Sequence, residues 1–268
     1  MRHERMKTIS ITSGKGGVGK TTFTAQLAMY LAAQDKSVLI LDGDLGMANI
    51  DLFFGRHLSH SIYDVLSGTM SLSDTVVNVY PGVDLIPGGN GISELQNLNA
   101  EDRYMLLSQV SHLPRKYDVL LVDTSPGLSN HVLYLNSLVQ QVVVTLTPDP
   151  ASLTDAYALI KVLSQKSRVR KFSVLVNMVQ GLAEGLRVFE RLLKVSNEFL
   201  DVSLDYVGCI PVDAKIKEAV RLQKPALFTF ESCLPVLKYI ERDMEPSSDQ
   251  HMLPGGLSFF WERLVGVA

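Results

Sequence analysis

A glycine-rich stretch near the start of the chain carries the clearest chemistry in the sequence. Gly14, Gly19, Lys20 and Thr21 fit the phosphate-loop pattern G-x-x-x-x-G-K-[ST]. In such a loop the glycines permit tight turns, and successive backbone N–H groups and a helix N-terminus surround phosphate oxygens. We therefore expect a nucleotide-phosphate site formed by Gly14, Lys15, Gly16, Gly17, Val18, Gly19, Lys20, Thr21 and Thr22. Lys20 would reach the β- and γ-phosphates, and Thr21 would place its hydroxyl on Mg²⁺.

The loop contains a second lysine, Lys15, which phosphate binding does not require. A loop that wraps its own nucleotide leaves this cation little access to it, so we expect Lys15 to serve the nucleotide of a neighbouring molecule. A chance glycine-rich turn is the alternative. The context disfavours it, because T-I-S-I-T at 8–12, which is typical of a buried strand, precedes the loop and helical apolar spacing, 21–34, follows it.

Three aspartates follow apolar runs and are candidates for metal binding and hydrolysis. Asp42 and Asp44 end L-I-L-D-G-D, where one can bind Mg²⁺ through water and the other can orient the attacking water. A solvated Asp-Gly turn is the alternative for this pair. Asp123 ends L-L-V-D, the position of a Walker B aspartate. The expected metal site is therefore Thr21, Asp42 and Asp123.

Composition limits the class of protein. The 268 residues are 46% apolar, which supplies one well-packed core, and the net charge of −3 argues against general nucleic-acid binding. Cys209 and Cys233 are too far apart for a C-x-x-C site and make no disulfide framework. The sequence contains no signal-peptide pattern and no apolar run that could span a bilayer, so we expect a cytoplasmic protein.

Apolar runs alternate with helical patterns along most of the chain, and this alternation predicts an α/β fold. We expect a doubly wound, mostly parallel sheet of about seven or eight strands in a single domain, residues 1–244, with the site at the carboxyl ends of the strands. The predicted strands are 8–12, 37–41, 83–86, 118–122, 141–146, 172–176 and 206–210. The clearest helical patterns are 21–34, 102–113, 153–163, 186–200 and 214–222.

Two late segments are candidates for the nucleotide base. Asn177 follows one predicted strand, and Pro211, Val212 and Asp213 follow the last one. Late loops of such a sheet can close over a base, and an amide can read adenine. Ordinary turn residues are the alternative for both segments.

The C-terminal residues do not continue the alternation of strand and helix patterns. Residues 245–256 read as a flexible linker rich in proline, glycine and polar residues, and 257–268 follow as an amphipathic helix. Its apolar stripe consists of Leu257, Phe260, Trp261, Leu264 and Val265. We interpret this stripe as a membrane-surface element, with docking against the domain as the alternative. A single short helix should bind weakly, and two in a dimer more strongly.

The lysine doublet in K-G-G-V-G-K-T resembles the deviant Walker A motif of the MinD/ParA family of P-loop ATPases. Longer segments, 42–51, 152–161 and 199–211, and the F-F-x-E-R-L of the tail are similar to the flagellar number regulators, the FleN or FlhG branch of MinD-like ATPases. The similarity covers nearly the whole chain.

The resemblance implies roles for particular residues. Lys15 would act across a dimer interface, Asp44 would be the hydrolysis aspartate and Asp123 the switch II aspartate. Asn177 and 211–213 match the adenine site, and 149–155 match a dimer-contact loop. The chain departs from the family at Gly43, where many relatives have alanine, and at Ser125-Pro126, where a small-residue pair is usual. The N-terminal leader also lacks the D-Q-A-x-x-L-R motif that stimulates a partner GTPase in many members.

The resemblance predicts a slow ATPase that uses ATP and Mg²⁺, forms an ATP-dependent homodimer and binds the inner membrane surface reversibly. Its implied partners are a flagellar transcription activator and a signal-recognition-type flagellar GTPase. The alternatives are a MinD-type cell-division site selector, which would need a more basic tail, an iron–sulfur or redox carrier, which would need other cysteine spacing, and a metabolic kinase, which would leave Lys15 and the tail unused.

Overall fold

The sheet is built from apolar runs that are buried on both faces, as parallel strands require. A computed structural model describes residues 6–44, 50–88, 99–113, 115–223, 231–244 and 257–266. Eight strands form one sheet in the order β3-β4-β2-β5-β1-β6-β7-β8. The strands are β1 (Lys7–Thr12), β2 (Val38–Gly43), β3 (Val77–Tyr80), β4 (Val83–Ile86), β5 (Val119–Thr124), β6 (Gln141–Leu146), β7 (Lys171–Val179) and β8 (Ser203–Pro211).

Helices cover both faces of this sheet. They are α1 (Lys20–Ala32), α2 (Ile50–Phe53), α3 (Ile62–Leu66), α4 (Leu72–Thr75), α5 (Ala100–Ser111), α6 (Asn130–Leu138), α7 (Pro150–Lys166), α8 (Leu182–Phe199), α9 (Ala214–Leu222), α10 (Leu234–Asp243) and α11 (Leu257–Leu264). Alternate residues of one strand enter different cores: Leu120 belongs to the core under α5, α6, α7 and α8, and Leu121 to the core under α1 and α10. The predicted fold class is confirmed.

The strand order places β1 at the point where the chain changes direction across the sheet. β1 pairs in parallel with β5 on one side and with β6 on the other. Ligands of open α/β sheets bind in the crevice at the carboxyl ends of strands at such a point. The loop between β1 and α1, which carries the glycine-rich motif, lies at this crevice.

The two edges of the sheet differ from its centre. At one edge, β3 has four residues and runs antiparallel to β4 with a register shift near Asn78. Its V-N-V-Y sequence is too short and too polar to stand out as a strand, which is why sequence reasoning missed it. At the other edge, β8 pairs in parallel with β7 through two register shifts.

The C-terminal helix lies on the domain rather than apart from it. α11 packs on α5 and α6, and Phe260, Trp261 and Leu264 are at most 1% exposed. In this conformation the stripe faces the domain, as the docking alternative has it, and its role at a membrane surface stays a prediction. The physical reason is an apolar surface on α5 and α6 that covers the stripe. The predicted linker, 245–256, lies outside the described residues.

Polar contacts reinforce this docking. The Tyr134 hydroxyl on α6 lies 2.7 Å from the backbone oxygens of both Arg263 and Leu264. The Arg263 guanidinium donates to the carbonyl oxygens of Ser137 and Leu138, at 2.7 and 3.3 Å. These are the last carbonyls of α6, which have no partner within their own helix and are stabilised by a cation. Among the described helices, none is long and apolar enough to cross a bilayer.

The docking can be measured through Trp261, because it is the single tryptophan of the chain. We expect its fluorescence emission in the nucleotide-free protein to be blue-shifted and protected from iodide. Trp261→Ala should lower the free energy of unfolding by about 3–5 kcal/mol, because a buried aromatic side chain is lost. Urea denaturation followed by circular dichroism gives this value.

Tyr104→Ala is the matched control, because Tyr104 is an aromatic residue of α5 that is 78% exposed. Its effect should stay within about 0.5 kcal/mol. Water-like emission from Trp261, together with equal stability of the two variants, would contradict the docked tail.

Candidate active site

The glycine-rich loop has the backbone geometry of a phosphate cradle. Gly17 and Gly19 have positive φ angles of 76° and 91°, a backbone conformation that residues with a Cβ rarely adopt. Gly19 is the N-cap of α1, and no described side chain caps this helix start. The first N–H groups of α1 therefore face the loop opening, where the helix dipole also favours an anion. Lys20, Thr21 and Thr22 occupy the first turn of α1.

Neighbouring elements hold the loop in place. The Ser13 hydroxyl donates to the Lys15 carbonyl at 2.7 Å, and the Ser13 carbonyl accepts from the Gly127 N–H at 2.9 Å. The side-chain amide of Asn177 donates to the Val18 carbonyl at 2.8 Å. A Cβ at Gly14 would collide with the backbone of Asp155 on α7, so close helix packing requires glycine there.

Two buried carboxylates lie next to each other below the loop. Asp42 on β2 and Asp123 on β5 are paired in the register of these strands, and each is 2% exposed. Burial raises the pKa of Asp123 to about 6, against hydrogen bonds from the Thr21 and Thr24 hydroxyls and the charge of Lys20. Burial, and then the nearby Asp123, raise the pKa of Asp42 well above its usual range. The alternative of a solvated Asp-Gly turn therefore does not apply to Asp42.

A cation would relieve this excess of buried negative charge. Lys20 supplies one cation; burial lowers the pKa of its ammonium group, and the charges of Asp123 and Asp44 oppose this shift. Mg²⁺ fits the rest of the site, since Asp42, Asp123 and the Thr21 hydroxyl are oxygen donors. The described residues contain no group of three or more His, Cys, Asp or Glu side chains that could hold a metal ion. Mg²⁺ is usually bound by one or two carboxylates together with substrate phosphates and water.

Asp44 lies at the opening of this site. Its N–H donates to Asp42 Oδ1 at 3.0 Å, which fixes the turn between the two aspartates. Its carboxylate accepts a hydrogen bond from the Ser125 hydroxyl at 2.9 Å. Asp42, Asp44, Asp123 and Lys20 thus converge at one edge of the sheet, as the sequence predicts.

Lys15 points away from the interior of the loop. Its ammonium group forms an ion pair with the Asp149 carboxylate, and the two side chains are 41% and 43% exposed. This pair lowers the pKa of Asp149, which the Ala151 N–H also stabilises. The two residues border a cleft of about 350 Å³ between the loop and the carboxyl ends of β6 and β7.

The residues proposed for base recognition are engaged within the protein. The side-chain amide of Asn177 donates to the Val18 carbonyl of the phosphate loop, and its side-chain oxygen accepts from the Met178 N–H at 2.9 Å. Asp213 is the N-cap of α9 and accepts from the Lys215 N–H and the Ser232 hydroxyl. Pro211 ends β8, and the Val212 N–H donates to the Val179 carbonyl. They lie at the carboxyl ends of β7 and β8, and Asn177 contacts the phosphate loop directly.

Sequence reasoning missed several residues around the loop. Met178, Gln180 and Glu184 line the cleft, and Met178 has a left-handed φ of 59° that no sequence signal indicates. His131 on α6 donates from Nε2 to the Gly43 carbonyl at 3.0 Å. For Ser125 the sequence indicates only a departure from the family pattern.

Comparisons with known proteins agree with this geometry. The family described as an AAA domain matches residues 6–187. The Antiactivator FleN of Pseudomonas aeruginosa is 36% identical over 264 residues, which are 97% of this chain and 94% of the relative. The flagellum site-determining protein YlxH of Helicobacter pylori is 35% identical over 81% of this chain and 74% of the relative.

Solved structures with the same fold include cell-division proteins. MinD in the MinC:MinD complex of Aquifex aeolicus superposes with a TM-score of 0.68 at 25% identity, covering 91% of this chain and 98% of that one. The septum site-determining protein MinD of Pyrococcus horikoshii, complexed with Mg-ADP, has a TM-score of 0.65 at 26% identity over 89% and 96% of the two chains.

The raised pKa of Asp42 gives a prediction for stability. Asp42→Asn keeps Oδ1 as an acceptor for Asp44 N–H and removes the buried charge. We expect the Tm of the nucleotide-free variant at pH 8 to rise by about 2–4 °C, the shift that about 1 kcal/mol causes in a domain of this size. Calorimetry at several pH values provides the measurement.

The sign of the pH dependence follows from linkage. Above the raised pKa, the charged carboxylate destabilises the folded parent protein. As the pH falls through that pKa, the carboxyl is protonated and the advantage of Asp42→Asn shrinks. Asp201→Asn, at a fully exposed carboxylate, is the control and should not change the Tm. A lower Tm for Asp42→Asn at every pH would contradict the argument.

Proposed function

Because the chain belongs to the MinD/ParA family of deviant Walker A P-loop ATPases, we propose that it is an ATP-dependent dimerising switch. It binds ATP, associates with a second copy and hydrolyses the nucleotide slowly to ADP and phosphate. The observation that supports this proposal best is the convergence of Lys20, Asp123 and Asp44 at a phosphate loop that also carries Lys15. An ordinary phosphate loop has no use for Lys15.

The loop performs nucleotide binding. N–H groups of 16–21 and the start of α1 face the phosphate oxygens, and Lys20 neutralises charge on the β- and γ-phosphates. Thr21, Asp42 and Asp123 would hold Mg²⁺, which supplies electrostatic stabilisation of the phosphate charge. Asp44 orients the attacking water toward the γ-phosphate. These residues need little motion to do so, because β2, β5 and α1 already hold them side by side.

Lys15 is suited to act on the nucleotide of the partner subunit. Within this chain it forms an exposed ion pair with Asp149, and such pairs contribute little because water screens the charges. A phosphate group in a dimer interface carries a denser negative charge than a carboxylate. It can replace Asp149 as the partner of Lys15 because little free energy is lost when the exposed ion pair breaks. Lys15 then stabilises charge that develops on the transferred phosphoryl group, as an arginine finger does.

The tail couples this cycle to a membrane. In the docked state, α11 hides its apolar stripe, so membrane binding requires its release. We infer that ATP-driven dimerisation releases α11 and that two linked helices then bind the inner face of the cell membrane. The protein is cytoplasmic in its docked state.

The output of the switch is control of flagellar number, which the two flagellar relatives support. The proposed partners are a flagellar transcription activator and a signal-recognition-type GTPase. A MinD-type division-site selector shares the fold and is the second candidate. An iron–sulfur carrier is not favoured, because Cys209 and Cys233 are both buried and lie apart, one on β8 and the other immediately before α10.

The decisive experiment measures size and hydrolysis together. Lys15→Ala should keep ATP binding, stay monomeric in ATP and lose hydrolysis by about 10³-fold, as comparable charges supplied across an interface do. Asp44→Ala should bind ATP, fail to hydrolyse it and accumulate as a dimer. Light scattering and phosphate release measure these properties.

Lys161→Ala removes the same charge from an exposed position on α7 and serves as the control. It should dimerise and hydrolyse ATP like the parent. Dimerisation of Lys15→Ala at the parental ATP concentration would refute the role across the interface. A monomeric Asp44→Ala in saturating ATP would refute its assigned role.

The membrane proposal has its own test. Asp44→Ala with ATP should float with vesicles of phosphatidylethanolamine and phosphatidylglycerol, whereas the protein with ADP should not. Binding should change little with salt, because Glu262 and Arg263 balance each other's charge. The Trp261 emission should report release and insertion in the same samples. Absence of flotation in every nucleotide state would leave α11 as a packing element only.

A further inference from the structure

The hydroxyl of Ser125 contacts the residue that we assign to hydrolysis. Ser125 follows β5 directly, two residues after Asp123. Its Oγ lies 2.9 Å from Asp44 Oδ1 and 3.3 Å from the Gly43 carbonyl oxygen. A serine hydroxyl has one proton, so the two acceptors compete for it. The contact therefore links the loop after β5 to the loop after β2.

His131 determines which of the two acceptors receives the Ser125 proton. It is 7% exposed on α6, and its Nε2 lies 3.0 Å from the Gly43 carbonyl oxygen. Burial lowers the pKa of His131, which favours the neutral ring. The neutral ring must carry its proton on Nε2 to donate to a carbonyl, and among the described residues Nδ1 has no partner. Gly43 thus has a donor of its own, and the Ser125 proton goes to the closer and charged acceptor, Asp44.

The main chain beneath Asp44 has little freedom. A Cβ at Gly43 would lie 2.7 Å from Leu135 Cδ1 and 2.9 Å from the Asp123 carbonyl oxygen, so β2 is pressed against α6 and β5. The Asp44 N–H is fixed to Asp42. With the backbone held, the direction of the carboxylate oxygens depends on the Asp44 rotamer, and Ser125 donates directly to one of these oxygens. A carboxylate has about four lone-pair sites, so the bond from Ser125 does not by itself prevent it from accepting from a water.

The same loop also contacts the phosphate loop. Two residues after Ser125, the Gly127 N–H donates to the Ser13 carbonyl at 2.9 Å. A ligand that shifts the phosphate loop therefore acts on the segment that carries Ser125. The path from Ser13, at the start of the phosphate loop, to Asp44 consists of two hydrogen bonds and three residues of backbone.

We propose that Ser125 is a positioning residue for ATP hydrolysis, whose hydroxyl orients the Asp44 carboxylate toward the attacking water. This inference rests on the proposed function, in which Asp44 orients that water. Ser125 touches neither the phosphates nor the water in this arrangement. Its effect is therefore on kcat, through Asp44, and not on nucleotide affinity.

The test compares Ser125→Ala with Ser125→Thr, which restores a hydroxyl. Ser125→Ala should lower kcat for ATP hydrolysis by about tenfold, as expected for the loss of one hydrogen bond to a charged group. KM for ATP and ATP-dependent dimerisation should stay within twofold of the parent, and Ser125→Thr should recover most of kcat. Ser137→Ala is the matched control, because its hydroxyl donates only to the Tyr134 carbonyl on α6 in the described structure.

The outcomes separate this inference from the proposed function. An unchanged kcat in Ser125→Ala, with Asp44→Ala inactive, overturns the role of Ser125 and leaves the proposed function intact. Equal losses in Ser125→Ala and Ser125→Thr also overturn it, because they point to packing of the side chain. Full hydrolysis by Asp44→Ala refutes the hydrolysis role of Asp44 itself, and the role of Ser125 falls with it.

Discussion

Two carboxyl groups buried side by side, those of Asp42 and Asp123, are the constraint around which this molecule is arranged. They lie at the carboxyl ends of adjacent strands, where apolar cores on both faces exclude water. Burial of charges without full compensation destabilises a fold. Lys20 and the hydroxyls of Thr21 and Thr24 offset part of this cost. A bound cation would offset the remainder, and Mg²⁺ bound together with a nucleotide would supply one.

The loops around these carboxylates are connected to each other by hydrogen bonds. The phosphate loop bonds to the loop after β5 through Ser13 and Gly127, and to β7 through Asn177. The loop after β5 bonds to Asp44 through Ser125. Occupancy of the phosphate site can therefore change several loops at once without any change in the sheet. Such a rigid core with linked surface loops suits a protein whose states differ in association.

The local part of this structure could be predicted from the sequence, because motif and backbone geometry are encoded within a few residues. The loop 14–22 and the aspartates at the carboxyl ends of β2 and β5 come together through the strand order alone. The docked tail could not be predicted, since burial of Trp261 depends on α5 and α6, which lie more than 120 residues earlier in the chain. The hydrogen bond from Asn177 to the Val18 carbonyl could not be predicted either, because it depends on how closely two distant segments of the chain approach each other.

The two edges of the sheet also restrict how copies of this chain can meet. An exposed, regular edge strand can pair with another chain and extend the sheet into aggregates. Here one edge ends in a four-residue strand of opposite direction, and the other is interrupted by irregular register. The short antiparallel β3 and the irregular register of β8 both hinder β-pairing between molecules. A contact between copies of this chain would therefore form through loops rather than through the backbone edges, and a contact of that kind can be reversible instead of propagating into a fibre.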